Sequence, residues 1–201
     1  MKKDLAALLL MDFQVDVCDP NGKMLSQSPE VVARFLNARR KAAALLTAAR
    51  SATNPPAIVH IQHLFKPDYP ELANKKLTSM DHYVTGVGAF IEGSPGAEIV
   101  KELQPIKGEQ VFRKHTISPF VSTDLDSWLK EKEIKILILT GVVTHYVVLT
   151  SALAAQDMGY KVIVVKDCCT SGNAETHDTA LAILSPIAEL MESTDLIKAI
   201  T

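Results

Sequence analysis

The sequence has little that would staple a fold covalently or tie it to another phase. Its 201 residues include three cysteines, an odd number, and two of them, Cys168 and Cys169, are neighbours. Adjacent cysteines bridge only under strain. With Cys18 as the third, no disulfide framework is implied, and a reducing cytoplasm is the expected setting. No apolar run approaches the roughly twenty residues that span a bilayer. The formal charge of −2 gives no reason to expect a nucleic acid or a membrane as partner. Internal repeats, linkers and low-complexity tracts are missing too. The start, MKKDLAALLLMDF, has the outline of a signal peptide, but its short apolar stretch meets Asp12 with no small-residue cleavage site. It reads as a first buried strand.

What remains is an ordinary globular composition, 47% apolar, long enough for residues 1–201 to form one domain with a substantial core. Strands are expected over Leu5–Met11, Ala57–Leu64, Gln110–Arg113, Ile136–Leu139 and Lys161–Val165, with a possible edge strand at Ala188–Met191. Helices are expected from Ser28-Pro29 to about Arg50, over Ala97–Leu103, Thr123–Lys132, Thr144–Met158 and Ala174–Leu184. Strand and helix alternate, which predicts an α/β fold: a doubly wound, three-layer α-β-α arrangement around a mostly parallel sheet. Between Phe65 and Gly108 periodicity is weak and four glycines cluster, the signature of a functional lid or specificity loop.

The stretch ILILTGVVTHYVV, Ile136 to Val148, is the centre of the pattern: a strand apolar on both faces, then Gly141, then a helix. Ligands bind at the carboxyl ends of such strands. Asp12 and Lys114 also stand at strand ends, where an acid and a lysine can meet. Spacing alone leaves open a catalytic pair or a plain salt bridge closing the sheet.

Four segments carry a resemblance: Leu9-Met11-Asp12-Phe13-Gln14; Gly108-Glu109 followed by Lys114, Ser118, Phe120, Thr123 and Leu125; Gly141-Val142-Val143-Thr144; and Gly159-Tyr160-Lys161-Val162 before Asp167. In this order and spacing they resemble the isochorismatase-like hydrolase superfamily, which includes nicotinamidases and N-carbamoylsarcosine amidohydrolases. The resemblance implies a six-stranded parallel sheet and a catalytic Asp-Lys-Cys triad, with Asp12 and Lys114 as two members. It implies a cis peptide at Val142-Val143 that aims the amides of Val143 and Val147 at a substrate oxygen. It places Phe13, Gln14, His115, Thr144 and His145 around a small-molecule substrate, and it implies a homodimer or homotetramer.

One departure governs the function. At the position of the nucleophilic cysteine this chain carries Val147, which has no acid, base or nucleophilic chemistry. Isochorismatases proper also lack that cysteine and carry a histidine two residues before it, as His145 stands here. The resemblance therefore implies a hydrolase of an amide or vinyl ether, with Asp12 as general acid or base and Lys114 beside it. The alternative is a catalytically silent relative that binds a small ligand or serves as an oligomer partner. Substitution of the nucleophile by Cys18, Cys168 or Cys169 is the lesser reading, since cysteines are mostly buried small hydrophobes. His60 and His63, three apart on a strand, point to opposite faces, so a structural or substrate-lining role is expected rather than a metal. No cofactor is implied.

Overall fold

Alternation in the first strand sets the layout. In the computed structural model, which describes residues 5–201, Leu5–Met11 forms β1. Successive side chains of a strand point to opposite faces. Ala7, Leu9 and Met11 accordingly enter one apolar cluster, and Leu8 and Leu10 enter another. Residues 1–4, the beginning of the signal-like start, lie outside the described residues.

Five further strands complete the sheet: β2 (Ala57–His63), β3 (Gln110–Lys114), β4 (Ile134–Val142), β5 (Lys161–Thr170) and β6 (Glu189–Met191). The spatial order is β3-β2-β1-β4-β5-β6 and every pairing is parallel. The expected six-stranded, doubly wound α/β architecture is therefore observed. Among the described residues seven α-helices lie between strands and an eighth follows β6. They are α1 (Val15–Cys18), α2 (Pro29–Ser51), α3 (Ser79–Val87), α4 (Pro119–Ser122), α5 (Leu125–Glu131), α6 (Leu149–Asp157), α7 (Ala174–Leu184) and α8 (Ser193–Ile200).

Phe35, Ala42, Leu45, Leu46 and Ala49 of α2 and Leu196 of α8 cover one face of the sheet. Leu125 and Leu129 of α5, Ala152 and Ala155 of α6, and Leu184 of α7 cover the other. Their helical spacing puts each set on one stripe, and each fully buried leucine contributes about 1.5–3 kcal/mol. Pro29 opens α2 in the first helical position, as expected. Ser28 precedes it, but its side chain makes no capping bond.

Several boundaries differ from the sequence reading. The strand expected to stop at Leu139 continues to Val142, because Thr140 and Gly141 still pair with Leu10 and Met11. The Thr140 hydroxyl is satisfied by donating to the Leu9 carbonyl at 2.9 Å. β5 likewise runs on to Thr170, pairing Cys169 and Thr170 with Gly141 and Val142 after a register shift. Ala97–Leu103 is two short 3₁₀ turns rather than a helix, and Thr123 precedes α5 instead of starting it. Four helices, the short α1 and α4 together with α3 and α8, were not expected.

At the amino-terminal end of β3, Glu109 ties this frame together. Its carboxylate accepts from Arg50 at 2.7 and 2.9 Å, from His60 Nε2 at 2.8 Å and from the Ile106 amide at 3.1 Å. Burial alone would raise its pKa, but these donors together hold it down to about 2. Such an acid stabilises the fold above its ordinary pKa, and the contribution is lost as pH falls toward 2. Glu109→Gln is therefore expected to cost about 1.5–3 kcal/mol near neutral pH. Thermal melts of the two proteins should converge only as the pH falls to about 2.

Candidate active site

The strand order reverses direction between β1 and β4, the place where α/β sheets open a crevice at their carboxyl ends. Four adjacent strands end there. β1 gives way at once to Asp12, whose φ of 59° lies in the left-handed region that aspartate tolerates better than most side chains. The turn is held by the Asp12 amide donating to Ile61 O at 2.9 Å and the Gln14 amide donating to Asp12 O at 2.8 Å. β2 ends in His63 and β3 in Lys114, and these two residues are paired in register.

The three side chains meet. Lys114 is 1% exposed, and its Nζ lies 2.8 Å from Asp12 Oδ2 and 3.1 Å from His63 Nδ1. Burial raises the Asp12 pKa, and the Lys114 charge and hydrogen bond pull it back only in part. Burial lowers Lys114, against the pull of Asp12. Burial also holds His63 well below its ordinary value, helped by the Lys114 cation. An ammonium only donates, so His63 Nδ1 is the acceptor and the ring proton belongs on Nε2. Asp12 Oδ1 and His63 Nε2 are buried with no hydrogen-bond partner among the described residues. Phe90 stacks on the His63 ring with centroids 5.0 Å apart, which fixes its plane.

β4 supplies the opposite wall. Gly141 is required there because a Cβ would lie 2.7 Å from Met11 O and 2.8 Å from Met11 Cβ. The Val142-Val143 peptide is cis. A π-helical turn, Thr144–Val148, follows and leads into α6. Together these elements enclose a cavity of about 290 Å³, at the small end for a ligand site. Asp12, His63 and Lys114 line it with Val142, Val143, His145 and Val147. The other walls come from Val31 and Phe35 of α2 and from Met80, Tyr83 and Val84 of α3.

Not every residue expected around the substrate is there. Phe13 is 2% exposed and packs into the α2-side core. Gln14 is fully buried as a brace: its amide donates to His63 O and Ala97 O, each at 2.8 Å, while its oxygen accepts from His63 N. The Thr144 hydroxyl is engaged with His177 Nδ1 at 2.7 Å. His115 is exposed and lies off the cavity, its amide donating to Ser122 Oγ. A one-residue step along a strand end turns the side chain away, which is why neighbours of Asp12 and Lys114 do not share their wall. His145 does line the cavity, with Nδ1 2.9 Å from Ser171 Oγ.

The α3 wall was not expected from the sequence. A signal was present: Thr78 to Asp81 forms a capping box, with Asp81 N donating to Thr78 Oγ1 and Thr78 N donating to Asp81 Oδ2. His60 and His63 do diverge, as expected, His60 toward Glu109 and His63 toward Lys114. Among the described residues no group of three His, Cys, Asp or Glu side chains is placed to hold a metal ion. The cysteines are all buried and line no part of the cavity. Burial raises each thiol, Cys169 to about 12, away from the reactive thiolate.

A parallel sheet with helices on both faces and a buried acid–lysine pair at its switch point defines the class: a doubly wound α/β protein with its site at the strand ends. Comparison with known proteins makes this specific, since the isochorismatase domain profile matches residues 6–195, and the chain belongs to the isochorismatase family of hydrolases. YddQ, an uncharacterized isochorismatase family protein of Bacillus subtilis, is 30% identical over 172 residues, spanning 86% of this chain and 81% of its own. The maleamate amidohydrolase of Pseudomonas putida is 29% identical over 175 residues, 87% of this chain and 76% of its own. The structure of an isochorismatase-like hydrolase from Alkaliphilus metalliredigens aligns with a TM-score of 0.81 at 26% identity, over 97% of this chain and 98% of that one. Among the described residues no helix is long and apolar enough to cross a membrane.

Proposed function

We propose that residues 1–201 form one hydrolase domain acting on a small metabolite, an amide or a vinyl ether, without the cysteine nucleophile of the amidase relatives. Val147 stands at that nucleophile position, and the reactive group is Asp12. The observation that carries this reading is the state of that carboxylate. One oxygen is held by Lys114, the other is buried and unpartnered, and the side chain lines the cavity. A buried acceptor without a partner is costly, and active sites are where such costs are tolerated.

Acting as a base on an amide, Asp12 takes a proton from water as the water oxygen bonds to the carbonyl carbon, then passes it to the departing nitrogen as the C–N bond breaks. Acting as an acid on a vinyl ether, it protonates the alkene carbon. Water adds to the resulting oxocarbenium ion and returns a proton to Asp12, and the hemiketal collapses to a carbonyl compound as its C–O bond breaks and the alcohol departs. Lys114 holds the carboxylate in place in both cases. The amides of Val143 and Val147, on the wall opposite, are assigned to the developing oxyanion.

The raised pKa of Asp12 separates the two chemistries by sign. Amide turnover should fall as pH drops through that value, because the base is lost. Vinyl ether turnover should fall as pH rises through it, because the acid is lost. A panel of small amides, esters and vinyl ethers, assayed across pH with and without a thiol alkylator, tests the proposal. Turnover insensitive to the alkylator is the expected result; inactivation by it would return the chemistry to a cysteine. Measurable ligand binding with no turnover of any class would favour the silent, ligand-binding reading that Val147 also supports.

A further inference from the structure

We propose that the cavity selects an uncharged molecule with an apolar body and discriminates against carboxylates. This names the substrate class of the site described above and rests on the reading of that cavity as the ligand site.

Charge sets the selectivity. Of the residues lining the cavity only Asp12 and Lys114 are formally charged, and they neutralise each other at 2.8 Å. Lys114 also donates to His63 and is 1% exposed, so two of its three N–H groups are engaged within the protein and its charge is matched by Asp12. Arginine does not line the cavity at all. The charges of the cations nearby are held elsewhere: Lys23 donates to Gly88 O at 2.6 Å, Lys75 pairs with Asp81 at 2.7 Å, and Arg34 pairs with Glu30 at 2.8 Å and donates to the Gly172 carbonyl, leaving only its buried Nε without a partner. His145, the second lining histidine, has Nδ1 engaged with Ser171. Burial keeps both lining histidines below their ordinary pKa and so in the neutral form near pH 7.

A carboxylate entering this space would find no free counter-charge, and the nearest anion, Asp12, repels it. Surrounded by Phe35, Met80, Val84 and Phe90, the carboxylate would also lose much of its hydration. An uncharged head meets the opposite situation. Asp12 Oδ1 is an unpartnered acceptor and His63 Nε2–H an unpartnered donor, on side chains that share the cavity. A group offering one N–H and one C=O satisfies both, and leaves its hydrocarbon part against the apolar walls. The same pair would leave a carboxylate with one lone pair facing Oδ1, which repels rather than bonds.

Calorimetric titration of the full-length protein with matched pairs, hexanamide against hexanoate and benzamide against benzoate, reads this directly. Each amide is expected to bind about 100-fold more tightly than its carboxylate near neutral pH. Carboxylates binding as tightly as the amides would overturn the proposal, whether or not either is hydrolysed. Ammonia release is followed separately: preferential amide binding without release leaves this inference standing and removes the amide-hydrolase reading instead. Tyr83→Arg supplies the second arm. Tyr83 is 48% exposed on α3, so a guanidinium is accommodated at the cavity wall without burying a charge. The amide preference should then fall to about tenfold or less. A preference unchanged by that cation would show that selection is not electrostatic, and would overturn the proposal.

Discussion

Asp12→Asn is expected to lower turnover by about 10²- to 10⁴-fold, the range that proton transfer by a positioned side chain contributes. Asparagine keeps the size of the side chain and an oxygen that can still accept from Lys114, so the left-handed turn at residue 12 and its backbone bonds should survive. What it loses is the ability to take or give a proton. The effect should therefore fall on kcat, with ligand affinity changed only a few-fold. Circular dichroism and thermal melting check that the variant is folded, and steady-state kinetics on any substrate found in the panel measures the loss. An asparagine variant that is folded and keeps its kcat would sink the role given to Asp12.

Lys114→Met should have the largest effect on stability, about 3–5 kcal/mol near neutral pH. The methionine fills similar volume but leaves the Asp12 carboxylate buried with no cation at 2.8 Å. The sign of the pH dependence follows from the raised pKa of Asp12. A buried acid with a raised pKa costs stability as pH rises from its unfolded to its folded value, and Lys114 limits that cost. Without the lysine the cost grows, so the destabilisation is greatest at neutral and alkaline pH. It shrinks in acid, where the carboxyl is protonated in both states. Denaturant melts at several pH values measure this. The double variant Asp12→Asn with Lys114→Met should recover part of the loss, because the two residues are in contact and their effects do not add.

The scaffold was legible because apolar periodicity is a strong local signal. β1 and α7 have the bounds that their patterns indicate, since both are continuous stripes ended by turn formers or polar residues. β4 was read too short, because Thr140 and Gly141 look like a break until the neighbouring β1 supplies a bond for the hydroxyl and a reason for the glycine. That reason lies across the sheet and leaves no local trace. At the site, Asp12 and Lys114 were found at strand ends, where chemistry and topology coincide. Gln14 was misplaced for a related cause. A buried glutamine that braces two carbonyls looks, in sequence, the same as one that faces a ligand. The α3 wall was hidden in a weakly periodic segment, its only flag the capping box at Thr78.

The apolar cluster of Phe65, Leu72, Val84, Ala89 and Phe90 is separate from the two clusters that grip the sheet, and Val84 and Phe90 also wall the cavity. This separation bears on how the chain can change over time. Substitutions in that small cluster alter which molecules enter but leave the packing under Asp12 and Lys114 untouched. Drift in the mouth of the cavity and retention of its reactive floor are then compatible within one lineage. The seam between the two parts runs through His63, on which Phe90 stacks and Phe65 packs at a tilt, and it is the place where a change in selectivity would first be felt by the reacting groups.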